Sequence, residues 1–83
     1  MEVFDRVKSI LRDALGLGAR VEQFSPSTPL LGSIPEFDSM AVVTVLTMIE
    51  EEFGISIADD EVAGETFETV GSLSDFVAGK LAA

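Results

Sequence analysis

Apolar residues recur three or four positions apart in three segments of the chain, and this spacing constrains the fold more than any other feature. In the middle segment, Val42, Val45, Leu46, Ile49 and Phe53 would share one face of a helix. Comparable spacing in the two flanking segments predicts further amphipathic helices. The predicted helices cover residues 2–15, 39–53 and 71–81. Such a chain folds by packing its apolar stripes against one another.

The intervals between these helices differ in length and chemistry. The first interval contains Pro26, Pro29 and Pro35, which interrupt regular helix over a long stretch. The second contains acidic residues 59–61, which are favourable in the first turn of a helix, and Gly64, which keeps that helix short or irregular. The sequence therefore predicts an all-α four-helix bundle with three longer helices, one short third helix and a long loop between the first and second helices.

Capping residues indicate where two of the helices begin and end. Asp38 or Ser39 occupies the N-cap position of the second helix, and Gly54 follows its last residue, where a left-handed backbone is common. Ser72 and Asp75 have the spacing of a capping box at the start of the last helix.

Size and charge exclude several classes of function. The chain has 83 residues, which we expect to form a single domain over residues 1–83, too small for an enzyme with its own substrate cleft. Its 15 acidic and 5 basic residues give a net charge of −10, which repels nucleic acids and anionic membranes and favours partners with basic patches. With 47% hydrophobic residues, the chain can still bury a core. The missing cysteines and the absence of a long apolar run lead us to expect a cytoplasmic protein. We also expect it to be a monomer.

Ser39 is the candidate for a chemical role. The chain has no histidine and no cysteine, so the commonest catalytic bases and metal ligands are missing, and no lysine lies near Ser39 in sequence to activate it as a nucleophile. Its hydroxyl would instead lie at a helix N-terminus, where unpaired N–H groups and the helix dipole favour an attached anion such as a phosphodiester. The alternative is that Asp38 and Ser39 only cap the helix.

The face of the second helix opposite its core stripe is more apolar than an exposed face needs to be. It lies beside Ser39 and is a candidate surface for binding a partner. The carboxylates of Glu50 and Glu51, near the end of the helix, extend this candidate surface. The candidate partner-binding residues are Met40, Val43, Thr44, Thr47, Met48, Glu50 and Glu51.

The chain resembles the acyl carrier protein family in three stretches. These are residues 31–40 (LGSIPEFDSM), 50–55 (EEEFGI) and 69–71 (TVG). Residues 38–40 match the family's Asp-Ser-Leu/Met motif, and the order of the three stretches extends the resemblance over essentially the whole chain.

The resemblance implies that a separate phosphopantetheinyl transferase attaches 4′-phosphopantetheine covalently to Ser39. The transferase would also supply the magnesium ion and the base that this reaction needs. The thiol of this arm would hold acyl groups as thioesters and deliver them to partner enzymes, so the chain would be a carrier and not an enzyme. Asp38 would act as a cap and in transferase recognition, and Met40 would keep an apolar contact beside the arm. The implied partners are acyl-transferring, acyl-ligase or synthase enzymes with basic docking patches.

Two positions depart from the carriers of fatty acid synthesis, which commonly have acidic residues two and five positions after the modified serine. This chain has Ala41 and Thr44 there. Residues 30–43 are similar to carriers of exosortase and exopolysaccharide systems, so the departure favours a specialised stand-alone member over general fatty acid synthesis. The competing hypothesis is a non-catalytic acidic interaction module in which Ser39 is only a helix cap.

Overall fold

Three long α-helices form the framework of the protein. The computed structural model describes residues 2–30, 38–62 and 64–82, and the side chains of Glu2, Ser39 and Asp59 lie outside this description, as do residues 31–37 of the predicted long loop. The helices are α1 (Glu2–Leu15), α2 (Ser39–Phe53) and α3 (Val70–Ala82). Their bounds agree with the predicted ones to within one residue, and the predicted all-α fold is confirmed. Within the described ranges, no helix has the length and apolarity needed to cross a membrane.

Short 3-10 turns occupy the intervals between the long helices. The predicted short third helix is present as two such turns, Asp59–Glu61 and Gly64–Phe67. A further turn at Gly18–Gln23 lies in a stretch that the sequence predicts as loop. Its Val21 and the preceding Leu17 are buried in the core. A turn this short shows no helical periodicity that a sequence pattern could reveal.

The core joins one face of each long helix with three residues from the segment between α1 and α2. Helix α1 contacts both α2 and α3. The buried apolar side chains are Val7, Ile10, Leu11, Leu17, Val21, Leu30, Val45, Ile49, Phe67, Val70, Leu73 and Val77. Of the predicted stripe of α2, Val45 and Ile49 are fully buried, while Val42, Leu46 and Phe53 pack at the edge of the core. The predicted inward face of α2 is therefore confirmed.

The N-terminus of α3 is capped by a different pair from the one predicted. The Thr69 hydroxyl accepts a hydrogen bond from the Ser72 N–H at 3.0 Å, and the Ser72 hydroxyl accepts one from the Thr69 N–H at 3.0 Å. The Thr69 carbonyl accepts the first bond of the helix from the Leu73 N–H. Thr69 is thus the N-cap and Ser72 its reciprocal partner, and the predicted box of Ser72 with Asp75 is wrong.

Backbone hydrogen bonds hold the segment before the long loop against the start of α3. The N–H groups of Leu30, Val70 and Gly71 donate to carbonyl oxygens across this contact, at 2.8 to 3.0 Å. The acceptors are Glu68, Thr28 and Pro26, respectively. Pro29 and Thr69 form an isolated antiparallel bridge in the same place. The chain is thereby fixed at Leu30, nine residues before α2 begins at Ser39.

Glu61 connects the short turn at 59–61 to α3. Its carboxylate accepts a hydrogen bond from the Lys80 ammonium at 2.6 Å and another from the Ala58 N–H at 2.8 Å. These two donors, Lys80 foremost, hold the pKa of Glu61 below its ordinary value. This ion pair therefore attaches the turn to the far end of α3.

Candidate functional site

The N-terminus of α2 is capped by Asp38. This residue has an extended backbone, with φ −109° and ψ −173°, and its side-chain oxygen accepts a hydrogen bond from the Ala41 N–H at 2.9 Å. Its carbonyl accepts the first intrahelical bond, from Val42 at 3.0 Å. Of the two predicted cap residues, Asp38 is the cap, and Ser39 is the first residue of the helix.

This geometry leaves the start of α2 favourable for an anion. The cap satisfies the N–H of Ala41, whereas the N–H groups of Ser39 and Met40 lie in the first turn and have no acceptor within the helix. The positive end of the helix dipole lies at the same place. Asp38 and Met40 are both exposed, so the site opens to solvent.

The outer face of α2 near Ser39 is apolar for two structural reasons. Met40 is 75% exposed and Val43 is 61% exposed, although both side chains are hydrophobic. The hydroxyls of Thr44 and Thr47 donate to the carbonyls of Met40 and Val43, at 3.2 and 3.0 Å. Because these hydroxyls bond to their own helix, the exposed threonines contribute mainly methyl groups to the surface. The predicted exposure of this face is confirmed, and Met48 lies half-buried at its edge.

The three consecutive glutamates near the end of α2 have three different environments. The partly buried Glu50 accepts a hydrogen bond from the Ile57 N–H at 2.8 Å. Glu52 forms an ion pair with Arg6 at 2.9 Å. Glu51 is exposed and has no hydrogen bond or ion pair with any residue in the described part of the chain. Glu51 is therefore the member of this run with a free carboxylate.

Replacing Glu50 and Glu51 separately tests whether only Glu50 has a structural hydrogen bond. We expect Glu50→Ala to lower the free energy of unfolding by about 1 to 2 kcal/mol, because it leaves the partly buried Ile57 N–H without its acceptor. Glu51→Ala is expected to change it by less than about 0.5 kcal/mol. Urea denaturation of both variants measures their free energies of unfolding. Equal values for the two variants would contradict the prediction.

Arg6 is a structural residue of this region that the sequence pattern does not single out. Its guanidinium donates to the Glu52 carbonyl at 2.9 Å and lies 4.4 Å from the centre of the Phe53 ring. A cation at the C-terminus of a helix is favourable to its dipole. Arg6 thus attaches α1 to the end of α2 from 46 residues away, a separation at which helical spacing carries no signal.

The N-terminus of α2 combines an exposed helix start, N–H groups without an intrahelical acceptor and an uncharged face in one place. Among the residues described, no group of three or more acidic side chains is arranged to hold a metal ion.

Comparison with known proteins finds one family over most of the chain. Residues 5–77 match the family described as PP-binding, phosphopantetheine attachment site. The chain is 34% identical to an acyl carrier protein of a Picosynechococcus species and 33% identical to one of Thermosynechococcus vestitus, each alignment covering 99% of this chain and 95% of the relative.

A solved structure shares the fold over the full length. The NMR structure of a holo acyl carrier protein from Nitrosomonas europaea is 51% identical, with a TM-score of 0.93 and complete coverage of both chains. Sequence and fold thus agree, and the chain belongs to the acyl carrier protein family, as a carrier with a phosphopantetheine attachment domain that is not itself an enzyme.

Proposed function

We propose that Ser39 carries the covalent 4′-phosphopantetheine and that acyl groups travel on this arm as thioesters. The observation that supports this assignment is the cap: Asp38 bonds to Ala41 and caps α2, so Ser39 occupies the first position of the helix. A phosphodiester attached there would lie at the positive end of α2, beside the N–H groups of its first turn. The residues present therefore fit the group.

The attachment requires a separate phosphopantetheinyl transferase. The bond from the Ser39 oxygen to phosphorus forms as the pyrophosphate bond of coenzyme A breaks, 3′,5′-adenosine diphosphate leaves, and the transferase takes the serine proton. Asp38 would contribute its carboxylate to transferase recognition while it caps the helix. The competing hypothesis, an acidic interaction module in which Ser39 is only a cap, loses its main support because the cap is Asp38.

The outer face of α2 is the surface we assign to partner enzymes. Met40 and Val43 supply exposed apolar contacts next to the arm, and the methyl groups of Thr44 and Thr47 extend them. Glu51 adds a free carboxylate that suits a basic docking patch. Glu50 contributes less than the sequence suggests, because its carboxylate is bonded to Ile57.

The uncharged stretch of α2 supports a specialised pathway. No charged residue occurs from Met40 to Ile49, so the surface next to the arm differs from the acidic one expected of a fatty-acid-synthesis carrier. We infer a monomeric, cytoplasmic carrier, with residues 1–83 as its carrier domain, which works with acyl-ligase or acyl-transferring enzymes of a specialised lipid or exopolysaccharide system.

Mass spectrometry of the intact protein tests the attachment. The purified chain is incubated with coenzyme A, magnesium and a promiscuous phosphopantetheinyl transferase, alongside a carrier known to be loaded. We expect a gain of one phosphopantetheine per chain. An unchanged mass while the control carrier is fully loaded would overturn the proposal.

Two variants of Asp38 separate capping from recognition. Asp38→Ala is expected to lower the free energy of unfolding by about 1 kcal/mol, since the Ala41 N–H loses its acceptor. Asp38→Asn keeps a side-chain oxygen and should remain close to wild type in stability. It lacks the charge, and we expect kcat/KM for loading to fall about 5-fold. If Asp38→Asn is loaded as efficiently as the wild type, Asp38 caps the helix and has no role in transferase recognition.

A further inference from the structure

One side of the helix bundle is closed by a short segment of chain and not by helix packing. Helix α1 packs against both α2 and α3, but no comparable interface joins α2 to α3 within the described ranges. Residues 55–62, which we call the strap, cross this interval and are bonded to both helices. The Ile57 N–H donates to the Glu50 carboxylate of α2 at 2.8 Å. The Lys80 ammonium of α3 donates to the Glu61 carboxylate at 2.6 Å.

The strap buries little apolar surface of its own. Its Ile55, Ile57 and Val62 side chains are half-buried and pack against the core, and none of its described side chains is fully buried. The turn Asp59–Glu61 within the strap has no extended packing interface with a long helix among the residues that the structure describes. Segments with few buried apolar contacts open at a lower free energy than the whole protein unfolds. The strap therefore meets the conditions for local opening.

The Glu61 carboxylate holds the turn in two different ways. One oxygen accepts a hydrogen bond from the Ala58 N–H at 2.8 Å, which is a bond within the strap. The other oxygen accepts from Lys80, which lies 19 residues further along the chain in α3. The Lys80 side chain is 24% exposed, so this charge-assisted bond is partly shielded from water. Breaking the ion pair would thus release the turn from α3 and leave the bond to Ala58 in place.

No other basic residue in this part of the sequence can replace Lys80. It is the only lysine or arginine after Arg20, and 12 acidic residues occur from Val21 to Gly79. Three of these acidic residues, at positions 59–61, belong to the strap itself. Loss of the Lys80 charge would therefore leave the acidic strap without a compensating cation from α3.

We propose that the strap opens and closes as a unit while the three long helices stay packed, and that the ion pair between Glu61 and Lys80 is the latch that holds it closed. In the open state, Ile55, Ile57 and Val62 leave the core, and the side of the core between α2 and α3 becomes accessible. This equilibrium belongs to the chain alone and requires neither the phosphopantetheine arm nor a partner enzyme, so it goes beyond the proposed carrier function.

Amide hydrogen exchange of the ¹⁵N-labelled full chain, followed by NMR, tests the latch. Lys80→Gln and Glu61→Gln each remove the ion pair, and glutamine at position 61 keeps a side-chain oxygen for the Ala58 N–H. We expect exchange of the Ile57 and Ala58 amides to become about 3- to 5-fold faster in either variant. The double variant should be no faster than the single ones, because one and the same ion pair is lost. Unchanged exchange of these amides in both single variants would overturn the latch.

A variant of the core tests whether the strap opens separately from global unfolding. Ile10→Val removes a buried methyl group between α1 and α2, away from the strap. Exchange of the Val45 and Ile49 amides in α2 should become about 2- to 10-fold faster, because these amides exchange when the whole protein unfolds. The Ile57 and Ala58 amides should keep their wild-type rates. If they accelerate by the same factor as the α2 amides, the strap opens only when the protein unfolds, and the proposal is wrong.

Lys8→Gln is the matched control for charge. It changes the net charge by the same amount as Lys80→Gln, but Lys8 is in α1 and has no ion pair with a residue in the described ranges. Exchange of the strap amides should therefore remain at the wild-type rate in Lys8→Gln. Added salt should reduce the difference between Lys80→Gln and the wild type, because it screens the ion pair. Equal acceleration of the strap amides in Lys8→Gln and Lys80→Gln would attribute the effect to net charge and refute the latch.

Discussion

Ser39→Ala is expected to abolish loading with phosphopantetheine while leaving the protein folded. Alanine has no oxygen to form the phosphodiester, so the intact mass should not change under conditions that fully load the wild type. The cap of α2 is unaffected, because the bond to the Ala41 N–H comes from Asp38. We therefore expect the free energy of unfolding to change by less than about 0.5 kcal/mol. The cap-only hypothesis gives the opposite result, a loss of about 1 kcal/mol with partner binding retained.

Ser56→Ala provides the control for this experiment. Ser56 is an exposed serine in the link after α2, and its removal should leave both loading and stability at the wild-type level. If Ser39→Ala were fully loaded, the phosphopantetheine would have to be attached to another hydroxyl, and the assignment of Ser39 would be wrong. A clear loss of stability in Ser39→Ala, with loading of the wild type absent, would restore the interaction-module hypothesis.

Features that depend on local sequence could be predicted well. The bounds of α2 follow from helical spacing between Asp38, which caps it, and Gly54, whose φ of 66° is favourable for glycine. The position of Ser39 at the helix start follows from the same two residues. Each of these signals comes from residues within about one helical turn of the helix end that it marks, so it can be read from the local sequence.

Features that depend on distant contacts could not be predicted. The patterns Thr69-x-x-Ser72 and Ser72-x-x-Asp75 overlap, and the first is used because the pairing of residues 28–30 with 68–70 fixes where α3 begins. The different environments of Glu50, Glu51 and Glu52 depend on Ile57 and Arg6, which reach them only after folding.

Gly71→Ala is expected to destabilise the protein strongly. Gly71 lies in the first turn of α3, and a Cβ built there would be 2.5 Å from the Pro26 carbonyl oxygen and 3.1 Å from its carbonyl carbon. The obstacle is backbone, so the loop must move and the bond from the Gly71 N–H to Pro26, now 2.8 Å, is lost or weakened. Overpacking by one methyl group costs roughly 1 to 3 kcal/mol, and the neighbouring bonds from Val70 and Leu30 add about 1 kcal/mol each if they break.

The helix propensity of alanine opposes this loss by only about 1 kcal/mol, so a net decrease of about 2 to 4 kcal/mol should remain. For a domain of this size, the midpoint of thermal unfolding would fall by roughly 10 to 25 °C. Gly79→Ala is the matched control, because Gly79 is in the same helix and a Cβ there meets no atom within 4 Å. It should raise stability by about 0.5 to 1 kcal/mol. If circular dichroism melts show both variants to be stabilised, the close contact between α3 and the loop at Pro26 is not a feature of the protein in solution, because only that contact distinguishes the two sites.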